Sequence, residues 1–238
     1  MISGMNPLWQ EMANRAGREL TDAQAAKLSV YLDRLIETNK TMNLTRIVDR
    51  ESAERLHIAD ALTLLKFLPK EGHRLVDVGS GGGVPGIPLA IARPDVRVLL
   101  VEATKKKAAF LEATADALKL ENVSVSEWRA EDVARSANRE AFDIATARAV
   151  GAIDMLAEWC LPLVRVGGRM LAMKGERIKE ELPVAGKAIK WVGGGPAKVY
   201  PADLPGAEHH VIVEIHKVAT THRDYPRPPS EAKGKPIR

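Results

Sequence analysis

Two rhythms of apolar positions divide the chain. Over the first seventy residues the spacing is helical: Leu28, Tyr31, Leu32, Leu35 and Ile36 recur three or four apart, behind a capping box of Thr21 and Gln24. A second helical stretch runs from about Glu51 to Leu68 on Leu56, Leu64, Leu65 and Leu68, and the polar run from Asn39 to Thr45 reads as the connector. From Arg74 short apolar strands alternate with helices. Strands are predicted over 75–78, 96–101, 122–126, 142–147 and 169–173, with helices from about Pro85 and over 104–118. Strand starts roughly 20 to 25 residues apart belong to βα units on a parallel sheet. The stretch 211–218 is expected to close that sheet as an edge strand. The pattern predicts a doubly wound α/β core over 71–218, an N-terminal helical cap over 1–70 and a tail over 219–238.

Composition narrows the class. The chain has 238 residues, 45% hydrophobic and 28% charged, enough for one large domain or two small ones with a sizeable core. A single cysteine, Cys160, excludes an internal disulfide and points to a reducing compartment. No apolar run approaches a membrane span, and the first residues lack the basic start and apolar core of an export signal. A soluble, cytoplasmic monomer is expected, with no metal. The formal charge of +4 resides entirely in the segment from Lys217 onward, which also carries Pro226, Pro228, Pro229 and Pro236. A basic, proline-rich arm on a neutral body suggests an anionic partner, nucleic acid first; a merely solvated tail is the alternative.

The chemistry centres on Leu75-Val76-Asp77-Val78-Gly79-Ser80-Gly81-Gly82-Gly83-Val84-Pro85-Gly86. A strand leads into glycines and then a helix, the place where doubly wound sheets bind nucleotide-like ligands. The run from Gly81 to Gly86 fits the GxGxxG spacing of dinucleotide sites, a weak match by itself. Asp77 argues for a different ligand, because a carboxylate beside the loop repels a pyrophosphate and suits the ammonium and sulfonium of S-adenosylmethionine. Glu102, ending the next strand, can accept hydrogen bonds from both ribose hydroxyls. After the third strand, Arg129-Ala130-Glu131-Asp132 lies where an adenine is usually held, though acids also favour a helix's first turn. Arg148 ends the fourth strand, able to bind phosphate or carboxylate or to pair with an acid such as Glu131. Lys174 ends the fifth, on the ligand side or reaching to the surface. Lys105, Lys106 and Lys107 read as a solvated face, and His57 and Asp60 as either a mutual pair or a substrate contact.

In order and spacing, the glycine loop with Val84-Pro85-Gly86, Arg129-Ala130-Glu131, Thr146-Ala147-Arg148-Ala149 and Lys174-Gly175 resembles the RsmG (GidB) family, bacterial 16S ribosomal RNA guanine-N7 methyltransferases. The similarity extends to Asn43-Leu44-Thr45 and His57-x-x-Asp60, and to Tyr225-Pro226-Arg227 and Gly234-Lys235-Pro236-Ile237 in the tail. Two positions depart from the pattern: Ala61 replaces a usual Ser, and Trp128 has no assignable counterpart. The resemblance implies a seven-stranded methyltransferase fold, S-adenosylmethionine as cofactor, and 16S rRNA or the small ribosomal subunit as partner. It implies cofactor contacts at Gly79, Val84, Ala130, Glu131 and Arg148, to which the residue reading adds Asp77, Gly81 and Glu102. Asn43, His57, Lys174 and Arg227 are expected to meet the substrate, and the tail to lie against RNA phosphates. Guanine N7 carries an in-plane lone pair and no proton, so its methylation needs alignment instead of a general base, and no residue is assigned a catalytic role. The fourth strand accordingly lacks the Asp/Asn-Pro-Pro-aromatic step of exocyclic-amine methylases, and a single cysteine excludes paired-cysteine attack on cytosine. A methylase for another RNA, a nicotinamide-dependent oxidoreductase and a non-catalytic RNA-binding protein are the competing readings.

Overall fold

The helical rhythm of the first part becomes α1 (Pro7–Arg15), capped by the Asn6 side chain, and α2 (Asp22–Met42), which opens on the Thr21–Gln24 capping box. Asn43 ends α2 in the left-handed conformation, φ 53°. The connector is therefore shorter than the polar run suggested, because α2 continues through Met42. The second helical stretch is broken up. It begins as α3 (Arg50–Ala53), widens into a π-helical turn (Glu54–Ala59), returns to α4 (Asp60–Leu62) and tightens to a 3₁₀ turn (Thr63–Phe67). The structure is a computed structural model and describes residues 6–228, 231, 232 and 237. Of the tail residues invoked above, Pro229, Lys233, Gly234, Lys235, Pro236 and Arg238 lie outside the described residues.

The core follows as β1 (Arg74–Val78), α5 (Gly86–Ala92), β2 (Arg97–Val101), α6 (Lys105–Ala117), β3 (Val123–Ser126), α7 (Ala130–Val133), β4 (Phe142–Arg148), α8 (Ile153–Cys160), β5 (Val164–Lys174), α9 (Ile178–Trp191), β6 (Lys198–Pro201) and β7 (Val211–His216). One seven-stranded sheet in the order β3-β2-β1-β4-β5-β7-β6 results. Alternation along each strand sends neighbours to opposite faces. Leu75, Ile144, Leu171 and Ile212 pack with α1, α2, α5 and α6 on one side. Val76, Ala145, Met170 and Val213 pack with α7, α8 and α9 on the other. The N-terminal helices thus share one hydrophobic cluster with the sheet.

Two expectations need correcting. The strand at 211–216 is not the edge: it pairs antiparallel with both β5 and β6, and the short β6 forms the rim. β6 escapes a pattern reading because Lys198, Val199 and Pro201 are exposed and only Tyr200 is partly covered.

The tail is the second correction. Arg227, expected against RNA phosphates, instead grips Glu158 of α8 with Nε–Oε1 2.8 Å and Nη2–Oε2 2.7 Å. Its backbone N–H donates to the same carboxylate. Arg139 of the body donates to the carbonyls of Thr221 and Tyr225, and Arg135 donates to that of Pro226. Lys217 is buried, its ammonium donating to Leu161 O and the Thr221 hydroxyl, 3.2 Å from Glu140. These two cations face inward because a half-buried and a buried acid, Glu140 and Glu158, neutralise them there, whereas Arg223 is exposed.

Candidate active site

β1 lies centrally, with β2 on one side and β4 on the other, so the crossovers leave a cleft at the carboxyl ends of these strands. A cavity of about 1290 Å³ opens there, lined on the side of the helical region by Leu44 to Ile47, Leu56, His57 and Asp60. Nine of the twelve residues singled out from the sequence line it: Gly79, Gly81, Val84, Glu102, Ala130, Glu131, Arg148, His57 and Lys174.

The loop is held by its neighbours. Gly79 and Ser80 N–H donate to Val101 O, Gly81 N–H donates to Glu102 Oε2 (3.0 Å), and the Tyr31 hydroxyl donates to Gly82 O (2.8 Å). Gly79 adopts φ +71°, and a Cβ there would stand 2.7 Å from a Val150 methyl. The clash would thus begin with Val150, itself part of the cavity wall. Glu102 Oε1 accepts from Thr104 N–H (2.8 Å), so both oxygens of this carboxylate are fixed from the protein side. Glu131 is 4% exposed, lines the cavity and accepts no side-chain hydrogen bond among the described residues.

Asp77, expected beside the ligand, is turned into the protein behind the glycine loop. It is 1% exposed and absent from the cavity wall, and it accepts from Gly86 N–H (3.1 Å) and the Thr146 hydroxyl (3.1 Å). Burial pushes its carboxyl up to about 6, with the Gly86 and Thr146 hydrogen bonds opposing. Its place is to staple the glycine loop and α5 to β4. Asn43, expected at the substrate, is outside the wall as well; its left-handed backbone turns the chain out of α2.

At the other end of the cleft Arg148 organises a polar cluster. It donates to Leu56 O, to Asp60 Oδ2 (3.3 Å) and to His57 Nδ1 (2.7 Å). A guanidinium only donates, so His57 Nδ1 accepts, and its Nε2–H donates to the Thr45 hydroxyl (3.0 Å). Burial, and then the Arg148 charge, push His57 down to about 4. His210 Nδ1 stands 3.2 Å from Asp60 Oδ1, and that carboxylate raises the imidazole's pKa. His57 and Asp60 are thus joined through Arg148, and Arg148 pairs with Asp60 where Glu131 was an expected partner. Lys174 does not reach for the surface: it bonds Gly151 O (2.9 Å) and Glu181 (2.6 Å).

The sequence reading missed Val150, just past β4, and Tyr31, Thr45 and the His209–His210 pair, which reach the site from distant elements. It also passed over Trp128 as a site residue, although its lack of an assignable counterpart was a signal. No helix among the described residues is long and apolar enough to cross a membrane.

A family model described as rRNA small subunit methyltransferase G (GidB) matches residues 24–203. Ribosomal RNA small subunit methyltransferase G of Alkaliphilus oremlandii is 40% identical, covering 98% of this chain and 99% of its own. The protein of the same name from Chloroflexus aggregans is 42% identical, covering 95% and 96%. Among solved structures, a SAM-dependent O-methyltransferase from Thermotoga maritima superimposes with TM-score 0.51 at 20% identity, over 79% of this chain and 73% of that one. A 16S rRNA (adenine-N1) methyltransferase from Catenulisporales acidiphilia gives 0.50 at 16% identity, over 62% and 89%. These two likenesses show the fold: a Rossmann-like methyltransferase sheet.

Proposed function

The chain belongs to the rRNA small subunit methyltransferase G family, and from that membership we propose that it transfers a methyl group from S-adenosylmethionine to N7 of a guanine in 16S ribosomal RNA. The observation that carries this reading is the cavity at the carboxyl ends of the strands, with its bare glycine loop and two acids. Glu131 is a buried carboxylate without a donor among the described residues, which suits an adenine amino group. Glu102 is oriented by two backbone N–H groups and keeps lone pairs for vicinal hydroxyls. No side chain rises from Gly79 or Gly81 between the loop and the ligand. Asp77 acts behind them, through the loop it braces.

S-adenosylmethionine supplies an electrophilic methyl group. The protein's own task is to fix the two partners and exclude water, since N7 has no proton to remove. Arg148, locked by Leu56, His57 and Asp60, sets the wall opposite the glycine loop. Lys174 pins Gly151, and Glu181 accepts from Ile153 N–H as well, so the 150–153 segment is held at the cleft. In this reading the helical cap contributes the cavity wall from Leu44 to Asp60, 71–218 hold the cofactor, and Arg227 ties the tail to α8. The protein works as a monomer in the cytoplasm, on the RNA of the small subunit. Calorimetric titration with S-adenosylmethionine and with NADH, followed by labelled methyl transfer to 16S rRNA, tests it. Binding of the first alone and transfer to the RNA are expected; tight NADH binding without transfer would overturn it.

A further inference from the structure

With Lys217 and Arg227 turned inward, less of the basic segment is left to meet RNA, and one corner of the cleft has an unusual composition. Trp128 follows β3, lines the cavity and is 56% exposed, the most exposed of the four tryptophans. A single exposed apolar side chain is ordinary by itself, but this ring stands on the wall of the cavity, where it meets whatever enters. It shares this end of the wall with Ala130 and Glu131, which are both buried where the indole is exposed. Its backbone N–H donates to the Ser126 hydroxyl, so the loop that presents the ring is tethered to β3.

Four cations belong to this end of the cleft: Arg129, which is exposed and follows the indole in sequence as the exposed Glu127 precedes it, and Lys105, Lys106 and Lys107 in the first turn of α6, of which Lys107 lines the same cavity. None of the four forms an ion pair among the described residues, whereas Arg93, Arg148, Arg169 and Lys174 all do. Three lysines in the first turn of a helix oppose its dipole, and no acid in that turn offsets them. An aromatic face flanked by unpaired cations is the arrangement that single-stranded nucleic acid recognises: bases stack and phosphates meet charge.

We propose that Trp128 is a stacking platform for a base of the substrate RNA that flanks the target guanine, with Lys105, Lys106, Lys107 and Arg129 holding the adjoining phosphates. The flanking position follows from the sheet order. β3 is two strands from β1, about 10 Å at ordinary strand spacing, so the indole stands away from the glycine loop that the proposed reading gives to the cofactor. The proposal rests on the RNA methyltransferase reading and adds a contact to it.

The experiment compares wild type, Trp128→Ala, Trp128→Phe and a Lys105→Ser/Lys106→Ser/Lys107→Ser variant. Affinity for deproteinised 16S rRNA, affinity for S-adenosylmethionine without RNA, and KM and kcat are measured for each. Trp128→Ala should weaken RNA binding and raise KM about tenfold or more, the range expected for one lost base–aromatic stack. Its kcat and S-adenosylmethionine affinity should stay within twofold of wild type, and Trp128→Phe should recover most of the loss. The triple variant should flatten the plot of log affinity against log salt by roughly two. Weakened S-adenosylmethionine binding with unchanged RNA affinity in Trp128→Ala would overturn the proposal and turn the indole toward the cofactor's adenine. Unchanged RNA affinity in an active Trp128→Ala enzyme overturns the platform alone. A wild-type protein that binds S-adenosylmethionine yet neither binds nor methylates rRNA overturns the functional reading as well.

Discussion

Replacing Arg227 by alanine separates a structural tail from an RNA-binding one. The Arg227 side chain is 13% exposed and that of Glu158 is 3% exposed, and three hydrogen bonds of 2.7 to 2.9 Å join them. Truncation leaves Glu158 buried with one backbone donor in place of a bidentate guanidinium. Breaking a buried pair from one side costs about 3 to 5 kcal/mol, and the remaining N–H places this case at the lower end, near 3 kcal/mol. For a chain of this size about 1 kcal/mol moves the melting temperature by about 2 to 4 °C, so a fall of about 6 to 12 °C is expected. Scanning calorimetry measures it, and RNA affinity at several salt concentrations completes the assay. A structural tail leaves the salt slope unchanged, whereas a lost phosphate contact lowers it by about 0.7 to 0.9. A melting temperature within a degree of wild type together with a flatter slope would refute the reasoning.

Gly79→Ala should lose S-adenosylmethionine binding because its Cβ meets Val150 at 2.7 Å; adding Val150→Ala should restore part of it, with calorimetry as the measure. Residual loss in the double variant measures the positive φ, about 1 to 2 kcal/mol. Glu131→Ala should weaken S-adenosylmethionine about tenfold or more by removing a charged acceptor, with no fall in melting temperature, since the carboxylate has no partner to abandon among the described residues. His57, held down to about 4 against an ordinary 6.5, contributes stability that is present above pH 6.5 and lost as the pH falls through 4. Denaturant unfolding should therefore show wild type losing stability relative to His57→Gln between those two pH values, and parallel curves would refute the neutral, Arg148-facing imidazole.

The parallel half of the sheet was readable because β1, β2 and β4 are buried on both faces and write themselves as apolar runs ending in the glycine loop, Glu102 and Arg148. β6 was not, since its residues are largely exposed and carry no such run. The loop's neighbourhood was legible in the same way: residues at strand ends converge because the strands do. What could not be read is direction. Asp77 sits at the right strand end but points beneath the loop, toward Gly86 and Thr146. Arg227 belongs to a basic segment, yet its partner Glu158 is 69 residues away in sequence. Composition counts charges; only the fold says which of them face water. Trp128 shows the converse, a residue with no periodic role that the fold leaves exposed at the rim of the site.

The central claim is tested most directly by incubating the protein with S-adenosylmethionine and small-subunit RNA, free and assembled, and locating the added methyl group by mass spectrometry of nuclease fragments. A single 7-methylguanine in 16S rRNA, lost in Gly79→Val, is the predicted result. Methylation at another atom or in another RNA, or no transfer by a protein that binds S-adenosylmethionine tightly, would contradict the account.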